Sequence, residues 1–128
     1  MNKNFYIFKS KQSKQIIKYV KEKYNDELEF LWIKFPKYAI FRHKENKKWY
    51  ALLVALEENK LGIVGDKIVD IIVLKNKREN IINLIDNEKY FAGYHMNKRN
   101  WFTIKLDDSI TIKEIYNFID ESYNISNK

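Results

Sequence analysis

The sequence contains no cysteine among its 128 residues. That absence excludes disulfide bonds, thiolate metal ligands, iron–sulfur ligation by this chain and a cysteine nucleophile. A single proline and three glycines leave little material for long irregular loops. We therefore expect regular elements joined by short turns, in one domain that spans residues 1–128.

Long apolar runs are also missing. No stretch approaches the roughly 18 consecutive apolar residues that a membrane-spanning helix requires. The first eleven residues lack both the apolar core and the small-residue cleavage site of a secretory signal. These absences predict a cytoplasmic protein that has no membrane partner.

Few side chains are suited to catalysis or metal binding. The only histidines are His43 and His95, far apart in the sequence, and they cannot form a histidine-rich metal centre. The segment from Gly62 to Gly65 lacks the Lys-Ser/Thr ending and the following helix of a phosphate-binding loop. We therefore predict no enzymatic activity, no catalytic residue, no metal and no cofactor.

Positive charge is abundant and unevenly distributed. The formal net charge is +7, and residues 1–48 carry 13 Lys and Arg against 5 Asp and Glu. Residues 49–128 carry 11 against 12. An excess confined to one part of the chain favours an anionic partner such as nucleic acid.

The apolar pattern predicts an α+β fold. Apolar positions spaced three or four apart indicate helices, and short apolar or alternating runs bounded by polar residues indicate strands. Thr111 and Glu114 form a capping-box pattern at the start of the last helix. Helices are predicted at 12–24, 78–86 and 112–123, and strands at 38–43, 49–56, 68–75 and 100–106. This order predicts an antiparallel sheet with helices packed on one face, a two-layer sandwich.

The turn between the first two strands is the first candidate site. It is rich in cations that would suit a phosphate backbone, although a solvated turn explains them equally well. Arg42 lies inside a strand, where it could instead pair with an acid such as Asp70. The predicted contacts from this hairpin are Arg42, Lys44, Lys47 and Lys48.

The segment AGYHMNKRNWFTI, residues 92–104, is the second candidate. Lys98 and Arg99 would hold phosphates, while Asn97 and His95 would offer finer contacts. Tyr94 and Trp101 could stack on a base or could simply anchor the turn in the core, and both interpretations remain open. The lysines of the first helix are more simply explained as a solvated face.

Several stretches resemble the MmcQ/YjbR family. They are LWIKFPKYAIFRHKENKKWYALLV at 31–54, IVDIIVLK at 68–75, AGYHMNKRNWFTIKLDDSI at 92–110 and the ending DESYNI at 120–125. The resemblance implies a CyaY-like (frataxin-like) sandwich and a DNA-binding surface of double-wing type. Frataxin-like iron binding relies on an acidic ridge at the first helix, whereas this first helix is rich in lysine.

The preferred interpretation is a DNA-binding protein that contacts duplex phosphates with low sequence specificity and is a monomer. The alternative is a non-enzymatic module that binds a protein or a small ligand and whose basic surface has no role with nucleic acid.

Overall fold

A computed structural model describes residues 7–127 of the chain. Within that range there are three α-helices, five strands and a 3₁₀ turn at Glu58–Leu61. The helices are α1 (Lys11–Tyr24), α2 (Arg78–Leu84) and α3 (Ile112–Ser126). The strands are β1 (Tyr38–Arg42), β2 (Trp49–Glu57), β3 (Ile68–Lys75), β4 (Tyr90–Ala92) and β5 (Trp101–Lys105). The predicted α+β class is confirmed, and β4 is the strand that the sequence pattern missed.

All five strands form one antiparallel sheet in the order β1-β2-β3-β5-β4. The register of the sheet places two connections and the end of β3 at the same end of the sheet. Ala51 of β2 pairs with Leu74 of β3, and Lys75 of β3 pairs with Trp101 of β5. The β1–β2 turn (residues 43–48), the end of β3 and the β4–β5 loop (residues 93–100) therefore share one end of the sheet, which we call the turn end.

The two faces of the sheet are covered differently. One face carries Phe41, Leu53, Ile72 and Phe102 and packs against apolar residues of α1, α2 and α3, as predicted for a two-layer sandwich. The other face carries Ile40, Leu52, Val73 and neighbouring apolar residues. Side chains from the 30–37 segment and from the β4–β5 loop cover it, including Trp32, Tyr94 and Met96.

Local sequence determines where the long helices begin. The Ser10 side chain accepts a hydrogen bond from the Ser13 N–H at the start of α1, and Asn25 ends that helix in the left-handed conformation at φ 57°. At α3 the Thr111 side chain accepts from the Glu114 N–H, which is the Thr111 half of the predicted capping box. The Glu114 carboxylate accepts a hydrogen bond from the Tyr90 hydroxyl at 3.4 Å.

Asp120 of α3 joins the two long helices. Its carboxylate accepts hydrogen bonds from the hydroxyls of Tyr24 (2.6 Å) and Tyr19 (2.7 Å) of α1, and Lys23 Nζ lies 2.9 Å away. Burial raises the pKa of Asp120, but the bonds from Tyr24, Lys23 and Tyr19 outweigh burial and hold that pKa below its ordinary value of 3.8.

Because the pKa of Asp120 is lowered on folding, its contribution to stability is present above the ordinary pKa and is lost as the pH falls through the lowered one. We expect Asp120→Asn to reduce the free energy of unfolding by roughly 1–2 kcal/mol at pH 7, since charge-assisted hydrogen bonds are weakened. Urea titrations at pH 7 and pH 2.5 should show that difference shrinking in acid. The neighbouring exposed Glu121→Gln is the control, and a pH-independent difference would contradict the assignment.

Candidate nucleic-acid interface

The β1–β2 turn is held by backbone hydrogen bonds and by the Asn46 side chain. The His43 N–H donates to the Lys48 carbonyl (3.0 Å), and Asn46 Oδ1 accepts from the Lys48 N–H (2.8 Å). Lys47 takes the left-handed conformation at φ 63°. His43 is buried and its Nε2 donates to the Tyr123 carbonyl at 2.9 Å, so this histidine has a structural role.

Two of the four cations predicted from this hairpin are held in ion pairs. Arg42 contacts Glu29 through two hydrogen bonds of 2.9 and 2.7 Å. Lys44 pairs with Asp26 and also donates to the Tyr24 carbonyl at 3.1 Å. Both side chains therefore fasten the 24–29 segment to the hairpin, and their charge is largely compensated within the protein.

The suggested pairing of Arg42 with Asp70 is wrong. Asp70 lies opposite Ala55, far along β2 from Trp49, which is the partner of Arg42. The two side chains are therefore at opposite ends of the sheet. Glu29 is reachable instead because it forms an isolated bridge with Ile40 beside β1.

Asp26 is a buried acid with two partners. Besides Lys44, it accepts a 2.6 Å hydrogen bond from the buried Tyr50 hydroxyl. Burial raises the pKa of Tyr50, and the Asp26 carboxylate raises it further. Tyr50 therefore remains protonated and serves as a hydrogen-bond donor in the core.

The β4–β5 loop is anchored by aromatic side chains. Trp101 is buried on the face opposite the helices, and Tyr94 packs beside it. The Tyr94 N–H donates to Thr103 Oγ1 at 3.0 Å. A Cβ added at Gly93 would lie 2.8 Å from the Trp101 Cβ and 2.9 Å from its carbonyl oxygen, so only glycine allows this approach. Tyr94 and Trp101 thus act as anchors of the loop.

The polar residues of this loop face outward. His95 is exposed at φ 58°, with its ring centroid 4.0 Å from that of Tyr94 and 5.7 Å from that of Tyr38. Asn97 Oδ1 accepts from the Arg99 N–H at 2.8 Å and closes the turn. Lys98 Nζ donates to the Gly93 carbonyl at 2.8 Å. The Arg99 side chain is exposed and, among residues 7–127, makes no hydrogen bond or ion pair.

Three further cations lie between the two turns. Lys75 ends β3, and Lys77 and Arg78 follow it at the start of α2. Lys77 and Arg78 are exposed and Lys75 is half-buried; within the described part of the chain none of their side-chain cations is paired. Sequence reasoning missed them because they lie far from both candidate segments in the chain. Only the sheet order places β3 between the two turns.

The turn end therefore presents a row of cations across the sheet. The β1–β2 turn and the β4–β5 loop lie three strand spacings apart across the sheet, or about 14 Å. Of the eight predicted contacts, Arg42 and Lys44 form ion pairs within the protein. The others lie on the two turns that bound the row: Lys47, Lys48, His95, Asn97, Lys98 and Arg99.

Comparison with known proteins identifies the family. The YjbR family model matches residues 21–125, which is most of the chain. The chain belongs to the YjbR family. The predicted relationship is thereby confirmed, and the matched range includes all three segments of the turn end.

The uncharacterised protein YyaQ of Bacillus subtilis is 40% identical over 111 residues, covering 87% of this chain and 94% of YyaQ. A crystal structure of a Pseudomonas syringae protein, 38% identical, superposes with a TM-score of 0.86 and covers 99% of this chain and 100% of that one. A Deinococcus radiodurans protein, 20% identical, shares the fold at a TM-score of 0.60 over 80% of this chain and 69% of that one. The helices of residues 7–127 are all too short or too polar to cross a bilayer.

Proposed function

We propose that this YjbR-family protein binds duplex DNA through its phosphates at the turn end of the sheet. The observation that carries this proposal is the row formed by Lys47, Lys98 and Arg99 on the two turns with Lys75, Lys77 and Arg78 between them. Lysine and arginine contacts to phosphates supply most of the affinity of sequence-independent binding. The protein would act as a monomer, without a cofactor or catalysis.

The spacing of the two turns supports a duplex as the partner. The turns lie about 14 Å apart by strand spacing, which is similar to the width of roughly 12 Å of the major groove of B-form DNA. Each turn could therefore contact the phosphates that border one side of the groove. Lys75, Lys77 and Arg78 would face the groove between them.

Low sequence specificity follows from the same surface. Base readout needs side chains that are carried into a groove and make directed hydrogen bonds to base edges, such as arginine to guanine or asparagine to adenine. Among the predicted contacts, Asn97 already accepts the Arg99 N–H, and both residues lie on a short surface turn and not on a helix that enters the groove. We therefore expect phosphate contacts to dominate and base contacts to be few.

Fluorescence anisotropy of a labelled duplex over a salt series tests the proposal. Each phosphate contact contributes about −0.9 to the slope of log affinity against log salt. We expect the double variant Lys47→Gln and Arg99→Gln to weaken binding several-fold and to reduce the magnitude of the slope by about 2. Neither side chain is paired within residues 7–127, so folding should be unaffected.

The matched control is Lys60→Gln with Lys113→Gln. It removes the same charge from exposed positions remote from the turn end, so it separates the location of charge from net charge. A wild-type protein that does not bind at low salt, or that binds with no salt dependence, contradicts the proposal and favours a protein-binding or small-ligand-binding module. Equal effects of the two double variants would also contradict the assigned surface.

A further inference from the structure

A second basic surface lies at the opposite end of the sheet. There the start of α1, the residues preceding β1 and β3, and the segment following β5 line an open groove of about 800 Å³. We call it the basic groove. It falls within the usual size of pockets for small ligands, about 300–1,000 Å³. None of the predicted contact residues lines it.

Four lysines surround the basic groove. Lys9 and Lys11 flank the α1 cap, Lys37 precedes β1 and Lys67 precedes β3. All four are exposed, and within residues 7–127 none of their ammonium groups has a hydrogen bond or an ion pair. They reach the cavity from three separate segments of the chain. This convergence contrasts with the first hairpin, where Arg42 and Lys44 are compensated by Glu29 and Asp26.

Three acids also line the groove, and two of them have partners in the protein. Asp70 is only 6% exposed, and its Oδ2 accepts from the Ser10 N–H (2.9 Å) and the Ser13 hydroxyl (2.7 Å). Asp107 contacts Lys105 at 3.2 Å. Asp108, at the rim, is the third acid. Within residues 7–127 only Asp107 of these three is paired with a cation, so Asp70 and Asp108 offset part of the lysine charge and the groove keeps a net positive charge.

The remaining lining is apolar. Ile7, Ala55 and Leu106, which belong to the apolar cluster on the helix side of the sheet, supply an apolar lining that we call the floor. A ligand with an anionic group and a less polar body would match this arrangement. Lysine ammonium groups bind phosphate, and an apolar floor packs against a ring of the ligand.

We propose that the basic groove binds a small phosphorylated molecule of nucleotide size, with its phosphates on Lys9, Lys11, Lys37 and Lys67 and its body on the apolar floor. This site is separate from the proposed DNA surface, since the two lie at opposite ends of the sheet. It is an additional binding activity and does not depend on the DNA proposal.

Isothermal titration calorimetry of the full chain with ATP, AMP and inorganic pyrophosphate, in magnesium-free low-salt buffer, tests the site. We expect ATP to bind, and Lys37→Gln with Lys67→Gln to weaken its affinity at least tenfold. The control Lys60→Gln with Lys113→Gln, which removes equal charge from outside the groove, should change it less than twofold. Pyrophosphate should bind more weakly than ATP because it lacks a body for the floor.

Two outcomes would overturn the inference. One is the absence of binding by all three probes. The other is an equal effect of the groove and control variants, which would indicate non-specific attraction to a basic protein.

The same variants in the duplex assay distinguish the two proposals. Loss of duplex binding in Lys37→Gln with Lys67→Gln, without binding of small probes, would assign the groove to nucleic acid. ATP binding with no duplex binding would support the proposal for the basic groove and contradict only the DNA proposal.

Discussion

Trp101→Ala is expected to lower the free energy of unfolding by about 3–5 kcal/mol, the usual cost of removing a buried aromatic side chain. Trp101 is 8% exposed and belongs to the cluster on the sheet face opposite α1, α2 and α3. Its backbone lies against Gly93, and its side chain packs in the cluster that includes Tyr94. Removal of the indole would leave a cavity on this face, which side chains of the 30–37 segment and the β4–β5 loop cover.

Guanidinium titrations followed by circular dichroism would measure this effect without depending on the removed fluorophore. Trp101→Phe keeps much of the buried volume and should cost less than the alanine variant. Arg99→Ala, two residues away and exposed, should change stability by less than about 0.5 kcal/mol. A folded Trp101→Ala protein of near-normal stability that fails to bind DNA would instead make the tryptophan a contact residue.

Asp70→Ala is expected to cost about 3 kcal/mol, because it leaves the Ser10 N–H and the Ser13 hydroxyl without their charged acceptor in a buried place. Asp70 belongs to β3, and Ser10 caps α1. The carboxylate thus joins the first turn of α1 to the sheet. Its negative charge also interacts favourably with the positive N-terminal end of the helix dipole.

The comparison with Asp70→Asn isolates the charge. Asparagine retains one acceptor oxygen, so we expect it to cost less than alanine. Asp66→Ala removes the same charge from an exposed position in the β2–β3 connection and should be nearly neutral. Urea titration gives the stability, and hydrogen exchange of the first turn of α1 gives the location. Unchanged exchange there in Asp70→Ala would contradict the proposed tie.

The elements were predictable where their pattern is long. The period of apolar residues placed α1 and α3 to within one to three residues, and the β3 limits 68–75 agree with the structure. β4 has three residues, too few for any alternation to be recognised. It is a strand because β5 offers partners, with Phe91 opposite Thr103. Its existence is a tertiary property.

The candidate site was predictable only in part, because a sequence shows charges and not their partners. Lys98 and Arg99 remained at a surface turn, as expected from their neighbours. Arg42 and Lys44 look equally available in the sequence, but the 24–29 segment folds against the hairpin and supplies Glu29 and Asp26.

The sequence by itself determined the family, the α+β class, the start of the last helix at Thr111 and the basic character of the chain, since these depend on local composition and spacing. Tertiary structure decided which cations are compensated and which are gathered. Sheet order brought Lys75, Lys77 and Arg78 between the two turns. The hydrogen bonds of Ser10 and Ser13 to Asp70 brought the start of α1, with Lys9 and Lys11, to the cavity that Lys37 and Lys67 also line. Electrostatic interactions depend on distance in space, and residues distant in sequence become neighbours only when the sheet forms.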